Sequence, residues 1–467
     1  MSIIIIILSL AFLIIAAYRG YSVILFAPIA ALLAVMAFHP AAVAPVYTNL
    51  FMAKTAEFVK SYFPVFMLGA LFGKVVECSG FSKSIVESTV RFAGARNAIL
   101  SVAIVSALLT YGGVSVFVVV FAVYGFAAQM FRECNIPKRL IPGTIGLGAF
   151  TFAIDALPGS PQVQNIIPTT FFGTDTWAAP VLGIIGSLLI LVLGIFYLNL
   201  MRARAEAKGE GYSTDGVHLV NEPDTHEHGG RKISFFVAVL PLVVVCLSNK
   251  LLSMWIPRIY GKMHTVALTQ NGDVITTSID KVVAVWAVEA ALVLGIVTVL
   301  MFAWRQVFTR FAETSKVAVS GALLASLNTA SEYGYGAVIA SLPGFALVSN
   351  SLSVIQNPLM REAVSITTLA GITGSATGGL SIALGAMGKS FIESARMANI
   401  PMEVLHRIGA MAAGGFDTLP HNGAVITLLA VTGLTHRQSY KDIFAITCIK
   451  AMVVVVVILF YYMTGIH

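Results

Sequence analysis

The stretch "DALPGSPQVQN", Asp155–Asn165, places an acid, two prolines, a glycine and four polar side chains inside an otherwise apolar run. The chain around it has 467 residues, 57% of them hydrophobic and 11% charged, with a mean hydropathy of +0.87. Ordinary soluble domains carry roughly 25% charged residues. Runs such as Ser2–Ala17, Val181–Met201 and Val282–Trp304 approach or meet the roughly 20 apolar residues that cross about 30 Å of hydrocarbon. This is the composition of an all-α polytopic membrane protein. In that setting each backbone group freed by a broken helix costs several kcal/mol unless protein or a water-filled cavity satisfies it. The stretch must therefore meet something polar.

Working outward, apolar runs predict spans near residues 3–17, 22–38, 62–80, 98–130 with a break, 140–173 with a break, and 179–201. A charged, Gly- and Ser-bearing connector at 202–231 follows, with a short "HEH" tract that is weak evidence for a metal. The second half predicts spans near 232–248, 282–304, 316–345, 363–397 with a break, 404–434 with a break, and 443–464. The two halves share sequence echoes. "NIP" at Asn135–Pro137 returns at Asn399–Pro401, "GGVS" at Gly112–Ser115 returns as "GGLS" at Gly378–Ser381, and "DALPGSPQVQN" is matched by "DTLPHNGAVIT" from Asp417. Three echoes in one order, separated by nearly one interval, indicate an internal duplication of 1–201 and 232–467.

Basic residues orient the spans. With the N-terminus outside, Arg19, then Lys83, Arg91 and Arg96, then Arg132, Lys138 and Arg139, then Arg202, Arg204 and Lys208 all face the cytoplasm, provided 98–130 enters and returns on one side as a re-entrant hairpin tipped by "TYGGVS". The first half then crosses five times, so the second is inserted upside down, with its hairpin 363–397 dipping in from outside and both termini periplasmic. Arg305, Arg310, Lys316, Arg437 and Lys441 are expected inside; Lys250, Arg258, Lys262, Lys281, Arg361, Lys389, Arg396 and Arg407 are expected on the outer side. The net charge of +7 serves this orientation, not a nucleic-acid partner. The first apolar run follows Met1 without a basic stretch or cleavage site and reads as a retained helix. Cys78, Cys134, Cys246 and Cys448 have no metal-ligand or paired spacing.

Two half-helix breaks and two glycine hairpin tips, brought to one depth, form the pattern of a secondary transporter. Helix N-termini suit a carboxylate and opposed carbonyls suit a cation. The donors expected around a small ligand are Gly112, Gly113, Ser115, Gly159, Ser160, Gln162, Gln164 and Asn165 from the first half, and Gly378, Gly379, Ser381, His421, Asn422 and Thr427 from the second. Several of these would equally well cap broken helix ends. Asp155 and Asp417 stand at equivalent places before the two breaks, as cation or proton groups or as ties for the unwound loops. Glu332 breaks the symmetry, since its counterpart near Leu68 is apolar, and it is the favoured coupling acid, with Glu289 the second choice. Lys74 and Glu77, three apart, read as a surface ion pair. No HExxH or GxSxG motif supports an enzyme.

"FDTLPHNGAVITLLAVTGLTHRQSYKDI" (Phe416–Ile443), "YGGVSVFVVVFAVY" (Tyr111–Tyr124) and "ASEYGYGAVIASLPGF" (Ala330–Phe345) resemble the gluconate:proton symporter (GntP) family, and within it the D-β-hydroxybutyrate permease branch. The resemblance implies import of a small hydroxy-monocarboxylate with H⁺, or with Na⁺, across a bacterial inner membrane. It also implies the scaffold and transport domains of the ion-transporter superfamily, a homodimer and no cofactor.

Overall fold

The computed structural model describes residues 2–19, 21–85, 97–114, 116–213, 233–267, 274–344, 354–373, 375–420 and 422–467. Ser115, His421, Arg91, Arg96 and most of the polar connector lie outside the described residues. The elements, in order, are α1 (Ser2–Tyr18), α2 (Val23–Phe38), α3 (Pro40–Cys78), α4 (Ala98–Tyr111), α5 (Val116–Glu133), α6 (Ile141–Ala149), α7 (Val163–Phe172), α8 (Pro180–Glu206), α9 (Phe235–Tyr260), a two-stranded ribbon of β1 (Met263–Ala267) and β2 (Val274–Ser278), α10 (Ile279–Ser341), α11 (Pro358–Thr373), α12 (Ala376–Met397), α13 (Met402–Ala413), α14 (Gly423–Thr432) and α15 (His436–Thr464). Among the described residues, five helices are long and apolar enough to span a bilayer. The protein is a multi-pass, helical membrane protein.

The breaks fall where the sequence places them: between α4 and α5, between α6 and α7, between α11 and α12, and between α13 and α14. Three expectations are corrected. The spans expected at 282–304 and 316–345 are one helical run of 63 residues, bent at Ala303 (φ −134°, ψ 28°), so Arg305, Arg310 and Lys316 sit on helix and not in a loop. A straight helix of that length would measure about 95 Å, three bilayer cores, so a bend is obligatory. Arg407, counted among the basic residues facing outward, is wholly buried inside α13. The region between α9 and α10 contains an antiparallel ribbon, Met263 opposite Ser278 through Ala267 opposite Val274, that hydropathy does not announce.

Packing brings the breaks together. The first arm of each broken helix lies on the second arm of the other, α6 with α14 and α13 with α7. The second arm of each hairpin, α5 or α12, lies on that same distal arm, α14 or α7. Local backbone matches as well: Asn135 (φ 51°) and Asn399 (φ 54°), the first residues of the two "NIP" echoes, are both left-handed. In each, the following isoleucine donates a 2.8 Å hydrogen bond to a carbonyl five residues back. Asparagine tolerates that conformation better than most side chains.

Helix α8 shows how the bundle divides lipid from core. Ile184, Leu188, Val192 and Phe196 form its exposed stripe, whereas Gly183, Gly186, Ser187 and Gly194 face inward. Small residues allow close approach where no hydrophobic force drives helices together in lipid. A methyl on Gly183 would lie 2.4 Å from the Ala156 carbonyl, so α8 presses directly on the first break. At one end of the bundle Arg139 grips Glu210 with two hydrogen bonds (2.6 and 3.1 Å) and reaches Asp442 at 2.9 Å, and Tyr197 donates to the other Asp442 oxygen.

Candidate functional site

Helix geometry ends at Asp155, and Pro158 and Pro161 bring no N–H donors to the stretch that follows. Its carbonyls are met by donors from three other parts of the chain and from its own Asn165. Arg407 Nη1 donates to Asp155 O (2.9 Å), Tyr111 Oη to Pro158 O (2.8 Å), Asn249 Nδ2 to Gly159 O (3.3 Å) and Asn165 Nδ2 to Ser160 O (2.9 Å). Gly159 is left-handed (φ 79°), and a methyl there would strike the Trp177 ring at 2.5 Å. Ser160 Oγ turns back to Ala153 O. Gln162 Nε2 donates to Thr110 O (2.6 Å) and Val114 O (3.3 Å), which fastens the first hairpin tip to the break. Gly113 (φ 94°) closes that contact, because its Cβ would fall 3.3 Å from Pro161. A side chain on Gly112 would collide with Leu242.

Asn165 is saturated. Its amide donates to Ser160 O and Thr176 O, and its oxygen lies 3.2 Å from His406 Nε2 and accepts from Arg407 Nη1 at 2.9 Å. Arg407 completes its fork on Thr176 O and Ala178 O. Of the expected first-half ligands, Ser160, Gln162 and Asn165 thus have structural duties in this conformation, and Gln164 is half-buried and uncommitted.

The second break is built more openly. Asn422 Oδ1 caps α14 by accepting the amides of Ala424 (2.7 Å) and Val425 (3.1 Å). His436 Nε2 meets Pro420 O at 2.9 Å, and Thr427 Oγ1 donates to Gly423 O. Leu419, Pro420 and Asn422 are half-buried and Gly423 is exposed.

The two breaks meet at Lys450, on α15. Its Nζ lies 2.6 Å from Asp155 Oδ2, an ion pair rather than a directed hydrogen bond, and donates to Phe150 O at 3.1 Å. Asp417 is 7% exposed, has one oxygen without a hydrogen-bond partner, and lies within electrostatic reach of both Lys450 and Asp155. Gly414 makes the junction possible, since a methyl there would overlap Lys450 Nζ and Asp155 Oδ2. Beside it, Lys450, Thr151, Thr418 and Thr447 line a cavity of about 10 Å³, room for one water. Two buried cations, Lys450 and Arg407, therefore stand against two buried acids, Asp155 and Asp417.

Glu332 lies elsewhere, at the second hairpin tip. It is 4% exposed, its Oε2 lacks a partner, and it rests on Gly378, where a Cβ would approach that oxygen to 1.8 Å. Ser375 caps α12 by accepting the Gly378 amide at 3.0 Å, and the Thr377 hydroxyl lies 3.2 Å from those of both Ser375 and Thr329. Ser381 Oγ is buried without a partner, and Gly379 packs on the backbone at Ala370. Glu289 is only half-buried. Lys74 and Glu77 form the expected ion pair at 2.8 Å. Lys450, Arg407, His406 and Glu362 were not singled out as site residues from sequence; of these Lys450 alone stands as a single charge in an apolar run, "FAITCIKAMVVVV". Among the described residues no cluster of three or more His, Cys, Asp or Glu could hold a metal.

No family model matches the chain. The solved structure of the YdaH transporter of Alcanivorax borkumensis aligns with a TM-score of 0.48 and 14% identity, covering 90% of this chain and 89% of that one. The uncharacterized transporter YxjC of Bacillus subtilis is 52% identical over 473 aligned positions, covering 100% of both proteins. The chain belongs to the same family as this Bacillus subtilis transporter.

Proposed function

We propose that the protein is a secondary active transporter, built of two inverted repeats in a bacterial inner membrane, that imports a small hydroxy-monocarboxylate such as 3-hydroxybutyrate or gluconate together with H⁺. The observation that carries this reading is the junction of two broken helices at Lys450, with Asp155 from one break and Asp417 near it from the other. Unwound backbone within a spanning bundle is tolerated where it serves a ligand, and broken helices at a repeat interface are where transporter sites lie. The crosswise packing of α6 with α14 and α13 with α7 supports the inverted arrangement. Asp155 and Asp417 are balanced by Lys450 and Arg407 and so hold the scaffold of the site. Among the described residues Glu332 forms no ion pair, and in this reading it is the group that loads and releases a proton. Substrate is approached through the half-buried second break.

A Na⁺-coupled version is favoured by one observation, the three hydroxyls of Thr329, Ser375 and Thr377 gathered at the same hairpin tip as Glu332. Uptake of labelled D-3-hydroxybutyrate into proteoliposomes, competed by gluconate, lactate and succinate, tests the proposal. Accumulation driven by an inward proton gradient at zero sodium, and lost in Glu332→Gln, is the expected outcome. A strict sodium requirement favours the second reading, and flux that never runs uphill indicates a passive anion channel.

A further inference from the structure

Three buried acids in this protein are seated in the same way, against the Cα of a glycine on a neighbouring segment. A Cβ at Gly378 would lie 1.8 Å from Glu332 Oε2, one at Gly414 would lie 2.3 Å from Asp155 Oδ2, and one at Gly409 would lie 3.0 Å from Glu362 Oε1. Asp155 has Lys450 for company, and Glu332 belongs to the site already described. Glu362 has no role in that site. It is 0% exposed, in the first turns of α11, with both carboxyl oxygens lacking a hydrogen-bond partner.

Among the described residues no charged group pairs with Glu362, and Glu403 on α13 is exposed. Helix α11 packs on α12, α13, α1 and α15. On α13, both nitrogens of His406 are engaged by Thr174 and Asn165, and Arg407 is turned to the first break. On α15, Lys450 is committed to Asp155, Asp442 to Arg139 and Tyr197, and Tyr462 to Asn357, while Arg437 and Lys441 are exposed. On α12, Lys389, Glu393 and Arg396 are exposed, and α1 has no charged residue. The adjacent Arg361 points away, donating to Ser390 O and to Ser394. An ionised carboxylate so placed would be an uncompensated buried charge, which proteins avoid by neutralising the group. The other side chain that a Cβ at Gly409 would approach is Ile366, at 3.3 Å, and among the described residues no cluster of three His, Cys, Asp or Glu could hold a metal here.

We propose that Glu362 is a second proton-binding site, holding H⁺ while α11 is seated on α13 and separate from Glu332. Its part in the transport cycle rests on the proton-symport reading above; its occupancy by a proton does not. The test uses the full-length protein reconstituted in lipid, with the proton alone as probe, followed by infrared spectroscopy as the bathing pH is stepped. A carbonyl-stretch band of a protonated carboxyl is expected that vanishes in Glu362→Gln, moves in Glu362→Asp and in Gly409→Ala, and persists in Glu332→Gln. Identical protonated-carboxyl bands in the wild type and Glu362→Gln at every pH would overturn the proposal. Should Glu362→Gln fail to fold, an unmoved band in Glu362→Asp overturns it equally. Loss of proton-driven uptake with the band intact would sink the symport reading and leave this one standing.

Discussion

The two broken helices derive from matching sequence, "DALPGSPQVQN" and "DTLPHNGAVIT", yet they are finished in opposite ways. The first is sealed: Pro158, Gly159, Ser160 and Pro161 are all buried, and donors come to it from α4, α9 and α13. The second is capped by its own Asn422 and by nearby His436, with its tip half-open. Of two unwound segments with matching sequence, one holds the core and the other is left accessible. A site that must both keep its shape and admit a solute needs that division.

The sharpest way to break the comparison is Arg407→Leu. It strips the Arg407 donors from Asp155 O and Ala178 O and one donor each from Asn165 Oδ1 and Thr176 O, which keep His406 and the Asn165 amide; each orphaned buried acceptor costs about 1–3 kcal/mol. Destabilisation beyond about 4 kcal/mol is expected, seen as loss of folded protein on size exclusion in detergent. Next comes Lys450→Met, which leaves Asp155 buried and unpaired at a cost of about 3–5 kcal/mol. The double variant with Asp155→Asn should recover much of the lost melting temperature. If it recovers none, Lys450 is tied to Asp417 instead.

Gly159→Ala and Gly423→Ala contrast the two segments directly. The former forces an L side chain to φ 79° against Trp177, at about 1–3 kcal/mol, whereas the latter meets no atom within 4 Å. Gly423→Ala should be neutral or stabilise by about 0.4–1 kcal/mol through the unfolded chain. Equal melting temperatures for the pair would erase the distinction between the breaks. The smallest destabilisation is expected from Asn422→Ala, about 1 kcal/mol for a lost helix cap. If that variant keeps its stability within this margin but loses uptake, the open segment is where solute is recognised.

The positions of the interruptions were legible because proline, glycine and small polar residues in an apolar run have few other uses at membrane depth. Glu332 was legible as an acid without a symmetric partner. Lys450 and Arg407 were not, for one physical reason. Counting basic residues assigns each to a side of the membrane, and Arg407 was so assigned to the outside, whereas a broken helix also creates demand for a buried cation and a five-donor fork. Only the fold shows which carbonyls, here Asp155, Thr176 and Ala178, are left in want of one. The bend at Ala303 was likewise hidden, because the charges of Arg305 and Arg310 look the same on a helix as in a loop.

Arg139 joins two carboxylates of different standing: Glu210 is 29% exposed and Asp442 only 2%. Dissolved ions screen the first contact far more than the second. The stem of the connector beyond α8 is consequently held by a latch that brine can slacken, while the start of α15 is bolted to the same guanidinium. Raised ionic strength should therefore loosen the connector from the bundle without unseating α15.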